Sequence, residues 1–543
     1  MFRIYFLIPL LIPLLFVKGT FAEWLFRPIQ KWIDWLAKRP VLAMTVVGVF
    51  SFVLSASIAL TSHLPVPQTH DEFGYLLLGD TFAHGRVTNP TPKMWEHFET
   101  VHEIMTPSYA AKYPPAQGMA IAVGELVGLP ILGVWLMGAL GCVAVCWMLM
   151  AWMPARWAVP GGFVVAVHPQ VLEWSQDYWG GAVAMCGGAL VLGAFRRLVR
   201  EPHKRDAVWM GMGLALMANS RPFEGFLLGG LLMLGLAGWM IAGGRERILL
   251  SLRKIIAPMA VMMVLLGLEV GYYNWRVTGK PWVMPYAAYQ EQYAMAPQFL
   301  FEQPRPYLTY RHLDIQKLHE DYLRFYRWQR QSWARLAKAT YYKIHELGQG
   351  YLCSYLMLVP LLGLPWALRE ERWLRFVFWT GVWFTGLSLM GTWMFPHFAA
   401  PAAGVFFLLV MESMRSLNAW HIGTRRVGRN LVRGVALLLA VALLHVWVKI
   451  AESDTSLWYY KRYAMIQELK KAPGKSLVIV KYDADHNPHR EWVYNEADLD
   501  NAKVILAQDM GEKNQELLDY YRDRKVWVVH ADAANPEPEP GRN

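Results

Sequence analysis

The sequence predicts an all-α polytopic membrane protein of about 11–12 transmembrane helices with a small C-terminal α/β extracytoplasmic domain. Three observations predict it. Apolar runs of roughly 18–20 residues recur, enough to cross about 30 Å of hydrocarbon. Of 543 residues, 55% are hydrophobic and only 17% charged, below the roughly 25% of soluble domains. Lys and Arg concentrate in alternate loops, as the positive-inside rule requires of cytoplasmic segments.

Residues 1–39 hold an apolar stretch, 2–17, and a basic interfacial region. The stretch carries two prolines and reads as a signal peptide, an extra span or an interfacial segment. Cleavage near Ala22 would leave the basic 24–39 region outside, so an uncleaved segment is favoured. The predicted spans are 40–60, 131–152, 158–173, 181–196, 207–221, 225–243, 255–274, 351–367, 375–393, 398–414 and 434–450. Clusters at Arg27–Arg39, Arg196–Arg205, Arg245–Lys254, Arg369–Arg375 and Arg415–Arg433 all fall on one side. The loops 61–130 and 275–350 and the segment from about 452 then face outward. The net charge of +11 belongs to this topology. Membrane lipids with anionic headgroups are its partner, and nucleic acid is not called for. The 26 Trp and 25 Tyr suit aromatic belts at both interfaces. Cys142, Cys146, Cys186 and Cys353 lack ligand spacing and read as buried packing residues.

The chain therefore divides into a transmembrane module (40–274) that includes the first outer loop, a large outer loop (275–350), C-terminal transmembrane helices (351–450) and the outer domain (451–543). In that domain Ser476–Val480, Ala502–Ala507 and Lys525–Val529 read as strands and Asn514–Tyr521 as a helix. The proline-rich end from Asn535 reads as disordered.

The first outer loop carries the chemistry-bearing residues. Pro65 and Pro67 break the chain, and Thr69 with Glu72 three residues on makes a capping box. Glu72 thus has a capping role available. Asp71 is not needed by the box, so it either steadies the helix dipole or does chemistry. Phe73, Leu76, Leu77 and Phe82 form the expected lipid-facing side of a short interfacial helix. Lys112 precedes Pro114-Pro115, which open a helix expected to run through about Val127. A helix N-terminus with a lysine is a phosphate site, although a snorkelling lysine explains it too. Asp177 and Arg221 lie at outward ends of spans, where an ionisable group is either functional or paired, Arg221 with Glu224 or with Asp177.

Asp71-Glu72-x-x-Tyr75, Gly85, and Lys112 with Pro114-Pro115 resemble the GT-C superfamily of integral-membrane glycosyltransferases. That superfamily includes the protein O-mannosyltransferases and lipid A aminoarabinose transferases. The resemblance is best over the first 275 residues. It implies a polyprenyl-phosphate sugar donor, and a lipid, glycan or protein acceptor presented on the outer, periplasmic face of a bacterial inner membrane. It further implies Asp71 as catalytic base, with Glu72 beside it, Asp177 assisting, and Lys112 on the lipid phosphate. There are departures. Tyr113 separates Lys112 from the proline pair, and Gly74 stands where the aminoarabinose transferases carry an arginine. Arg86 and Arg221 are the candidates for the missing charge.

The chemistry is consistent with the residues. Transfer needs a base for the acceptor hydroxyl, while a lipid phosphate leaves already charged and needs cations more than an acid. No glycine-rich nucleotide loop occurs, and no Asp-x-Asp stands in the outer loops before 450, so neither a cofactor nor a metal is called for. Asp483-Ala-Asp485 with His486 and His489 reads as a solvated loop. The competing classes are a transporter or lipid flippase and a glycan ligase or polymerase. The tyrosines of Tyr286-Ala-Ala-Tyr289-Gln-Glu-Gln-Tyr293 suit either sugar stacking or an interfacial belt.

Overall fold

A computed structural model describes residues 4–353 and 355–541. Residues 2 and 3 of the apolar N-terminal stretch, Ser354 within the predicted span 351–367, and residues 542–543 of the tail lie outside the described residues. Among the described residues seven helices are long and apolar enough to cross a membrane: Pro40–Thr61, Pro130–Trp152, Gly181–Arg200, Pro222–Ala242, Gly244–Thr278, Ala400–Asn418 and Val427–Ala451. Gly181–Arg200 is buried nearly throughout and forms the centre of the bundle. A Cβ on Gly188 would lie 1.8 Å from the Pro401 carbonyl oxygen. Only glycine permits that approach.

Four predicted spans differ from expectation. The 158–173 run is two helices, Ala155–Ala166 and Pro169–Trp174, because Pro169 starts a new helix after His168. The 207–221 run is Lys204–Ala218, 15 residues, short of the roughly 20 a span needs. The 351–367 run breaks into Leu358–Leu361 and Leu364–Glu370, where Pro360 and Pro365 interrupt the amide ladder. The 375–393 run ends at Ser388, in the helix Arg372–Ser388. The apolar stretch at the start is a 3-10 helix, Ile4–Leu15. Its Leu11 and Leu14 are buried where Gly434 leaves room on the last long helix.

Several residues of the basic clusters are paired with nearby carboxylates. Arg196 pairs with Glu371 at 2.8 Å, Arg415 with Glu412 at 2.7 Å and Glu370 at 3.4 Å, and Arg433 with Glu23 at 2.8 Å. The 61–130 and 275–350 segments carry the C-terminal domain. Its sheet has the parallel order Val504–Gln508, Lys475–Lys481, Arg524–His530. Glu539–Pro540 adds an antiparallel edge to Trp527 and Val528. This part of the tail is therefore paired rather than disordered, because proline tolerates an edge position.

The His70–Ala83 helix also departs from expectation. Phe73, Leu77 and Leu78 are buried, so the helix is not an amphipathic strip on lipid. The Ala116–Glu125 helix covers one side, where Gly79 and Gly118 allow close contact with Ile121 and Leu78. The C-terminal domain covers another, with Tyr494 stacked on Phe73.

Candidate active site

The outer loops and the bundle enclose a cavity of about 520 Å³, lined by Asp71, Lys112, Tyr113, Arg221, Tyr286, Tyr289, His102, His319 and His489 among others. The first outer loop builds one wall. A short hairpin, Glu103–Ile104 against Ala110–Ala111, returns the chain so that the Lys112 N–H donates to the His102 carbonyl at 3.1 Å. This brings Lys112 and Tyr113 beside His102, across from the first turn of His70–Ala83.

Asp71 sits in that first turn with its side chain 38% exposed. The Tyr113 hydroxyl donates to Asp71 Oδ1 and lies 2.7 Å from His102 Nδ1. His102 adopts φ 69°, the left-handed region that non-glycine residues seldom hold. Its N–H donates to the Tyr289 hydroxyl at 3.1 Å.

Lys112 is 5% exposed, and its ammonium packs over the rings of Tyr286 and Tyr289 at 4.8 Å and Tyr113 at 5.2 Å. Burial pushes this ammonium down to about 7, with Asp71 opposing the shift and Arg221 adding to it. The helix behind it is Ala116–Glu125, which starts later than expected. Its first amide is spent on the Asn219 carbonyl at 2.9 Å, so the positive charge here comes from Lys112 rather than from an open helix end.

Arg221 caps the Pro222–Ala242 helix, and its guanidinium lies 4.5 Å over the Phe398 ring. Among the described ion pairs it has neither Glu224 nor Asp177 as partner. Phe223, Phe299, Phe395 and Phe398 make the wall beside it apolar. Farther out, His70 and His319 are held neutral, each pushed down to about 3 chiefly by burial. His102 is likewise lowered by burial.

The remaining sequence candidates lie outside the lining. Glu72 is a cap: its Oε2 accepts from the N–H groups of Gln68 at 2.7 Å and Thr69 at 3.1 Å, and its Oε1 from that of Tyr178 at 3.2 Å. Burial pushes its carboxyl up to about 7 against these donors. Asp177 accepts from the Trp179 N–H at 2.8 Å, and burial beside Glu72 raises its carboxyl well above the usual range. The cavity is instead met by Trp179, whose Nε1 donates to Thr69 Oγ1 at 2.7 Å. Arg86 faces Asp498 of the C-terminal domain at 3.9 Å, so it is not beside Lys112 and Arg221.

Several lining residues carry little or no sequence signal. His102 and His319 arrive from distant segments. His489 is brought in by the C-terminal domain, from a 483–489 loop in which Asp483, Asp485 and His489 are exposed, in keeping with the solvated-loop reading. His486 in the same loop is buried and bonds Asp532 at 2.8 Å. Tyr113 did carry a signal, as the residue intruding before the proline pair. Among the described residues no group of three His, Cys, Asp or Glu side chains is arranged to hold a metal ion.

No family model and no curated protein sequence matches the chain. Among solved structures it is similar to ArnT from Cupriavidus metallidurans in the apo state, with a TM-score of 0.50 and 13% identity over 90% of this chain and 92% of that one. It is also similar to the oligosaccharyltransferase AglB from Archaeoglobus fulgidus, in complex with an inhibitory peptide and a dolichol-phosphate, with a TM-score of 0.49 and 11% identity over 91% of this chain and 70% of that one. The likeness to ArnT extends over nearly the whole of both chains, and the chain has the GT-C membrane fold.

Proposed function

We propose that the protein is a membrane glycosyltransferase that moves a sugar from a polyprenyl-phosphate donor to an acceptor hydroxyl on the outer, periplasmic face. One observation carries this reading: Asp71, Lys112 and Arg221 line a single cavity where the bundle meets the outer domain. The apolar wall at Phe223 and Phe398 suits the prenyl chain, and Lys112 and Arg221 suit its phosphate. Asp71 takes the proton of the acceptor hydroxyl as the acceptor oxygen bonds to the anomeric carbon. The bond from that carbon to the phosphate oxygen breaks, and its electron pair leaves on the phosphate. A single displacement inverts the anomeric centre. Lys112 and Arg221 supply the positive charge, so no cofactor is assigned. Asp177 and Glu72 support the site from behind, and Arg86 joins the outer domain to the loop.

The test is product formation from a labelled polyprenyl-phosphate sugar in membranes carrying the full chain. Asp71→Asn is expected to lower transfer by about 10²–10⁴-fold, the range for loss of a general base, with insertion unchanged. Full activity in that variant would remove Asp71 as the base. Flux of the lipid without any glycosylated product would favour a flippase.

A further inference from the structure

We propose that Tyr113 and His102 are positioning residues that hold Asp71 by Oδ1 as an ionised base and leave Oδ2 free for the acceptor; this rests on the functional reading above. Tyr113 has one hydroxyl proton and two neighbours, Asp71 Oδ1 and His102 Nδ1. With Asp71 ionised, that proton goes to the carboxylate, where a charge-assisted bond is the stronger. The phenol oxygen then accepts from His102, which sets the imidazole as its Nδ1–H tautomer. Direct contact between the ends of this chain is longer, 3.8 Å from His102 Nδ1 to Asp71 Oδ1, so Tyr113 is the link.

The backbone supports the same reading. His102 is held in a left-handed conformation from both sides, its N–H on Tyr289 and its carbonyl on Lys112. Strain of this kind persists where surrounding structure fixes a functional side chain. The ring of Tyr113 is fixed in turn by stacking on Tyr75 with centroids 4.4 Å apart, and its carbonyl accepts from the Tyr273 hydroxyl at 3.0 Å. The groups facing Asp71 are Tyr75, Tyr113, His102, Lys112, Tyr286 and Tyr322. Besides Asp71, Tyr113 and Tyr289, those facing His102 are Lys112, His70, His319 and His489. Of the groups facing Asp71, Tyr113 alone donates to Oδ1 among the described hydrogen bonds.

The experiment reads the Asp71 carboxylate itself. Infrared spectra of the full chain in vesicles at one pH, with the Asp71→Asn spectrum subtracted, isolate the Asp71 carboxylate stretching bands. Tyr113→Phe keeps the ring and removes the donor, and these bands are expected to shift as the charge-assisted bond is lost. His102→Gly, whose backbone accepts positive φ, is expected to move them by less. In the transfer assay kcat for Tyr113→Phe falls by about tenfold or more, the equivalent of one hydrogen bond to a charged group, while KM for the labelled polyprenyl-phosphate sugar stays put. Unmoved bands in both variants overturn the inference. Moved bands in a protein that forms no glycosylated product uphold the positioning and sink the transferase reading alone.

Discussion

The rings of Phe73 and Tyr494 lie parallel, 2° apart, with centroids separated by 4.1 Å. Phe73 belongs to the helix that carries Asp71, and Tyr494 belongs to the C-terminal domain. The same tyrosine hydroxyl lies 2.6 Å from His70 Nδ1 and donates to the Val101 carbonyl at 3.3 Å. The guanidinium of Arg462 covers the Phe73 ring at 4.7 Å. The C-terminal domain is therefore part of the wall behind the site.

Tyr494→Ala removes the stack and both polar contacts, so the outer domain is expected to loosen. A buried aromatic truncated to alanine costs about 3–5 kcal/mol. Limited proteolysis near 452–457 is the measurement, and faster cleavage with lowered transfer is the expected outcome. Equal cleavage of variant and parent would show that the domain docks without Tyr494.

Asp177→Asn should affect transfer far less than Asp71→Asn. Asp177 is turned onto the Trp179 amide and does not reach the cavity. An asparagine keeps an oxygen for that N–H, so a loss below about tenfold is expected, against the 10²–10⁴ of a base. Kinetics of the two variants side by side decide this. Equal losses would bring Asp177 back as a reacting group.

Lys112 gives donor binding a pH dependence. Its folded value, about 7, lies below the ordinary lysine range because of burial. In the empty protein above pH 7 the lysine is mostly neutral, and a bound phosphate favours the ammonium. Binding then takes up a proton, so affinity falls by up to about tenfold per pH unit above 7 and levels off below it. Titration of a polyprenyl phosphate between pH 6 and 9 measures the slope. The stability sign is the reverse. Between about 7 and 10.4 the unfolded chain holds more protons at this site than the folded one, so the contribution of Lys112 to stability rises with pH there. Lys112→Met is expected to flatten the binding slope and to raise Tm of the empty protein.

Glu72→Ala leaves three backbone N–H groups without their acceptor. A lost cap costs about 1 kcal/mol and each buried unpaired donor about 1–3 kcal/mol, so Tm falls clearly. Glu72→Gln retains an amide oxygen and is expected to recover most of the loss. The folded carboxyl titrates near 7, above the usual glutamate range. Its contribution to stability is fully present below about pH 4.3 and is lost as pH rises through 7. Thermal unfolding of parent, Ala and Gln forms from pH 5 to 8 checks both statements.

Much of this protein was decided locally and could be read from the chain. Thr69 and Glu72 cap a helix through contacts three residues apart. The Pro40–Thr61 and Val427–Ala451 helices follow from length and apolarity, and the Lys475–Lys481 strand from its β-branched run. Only the tertiary structure decided what those elements face. The apolar side of His70–Ala83 looks the same in sequence whether lipid or Tyr494 covers it, since burial depends on which surface is near and not on spacing. The partners of Asp71 were decided in the same way. Tyr113 lies 42 residues along the chain from Asp71, and His489 reaches the cavity from the outer domain, by chain closure that no local pattern encodes.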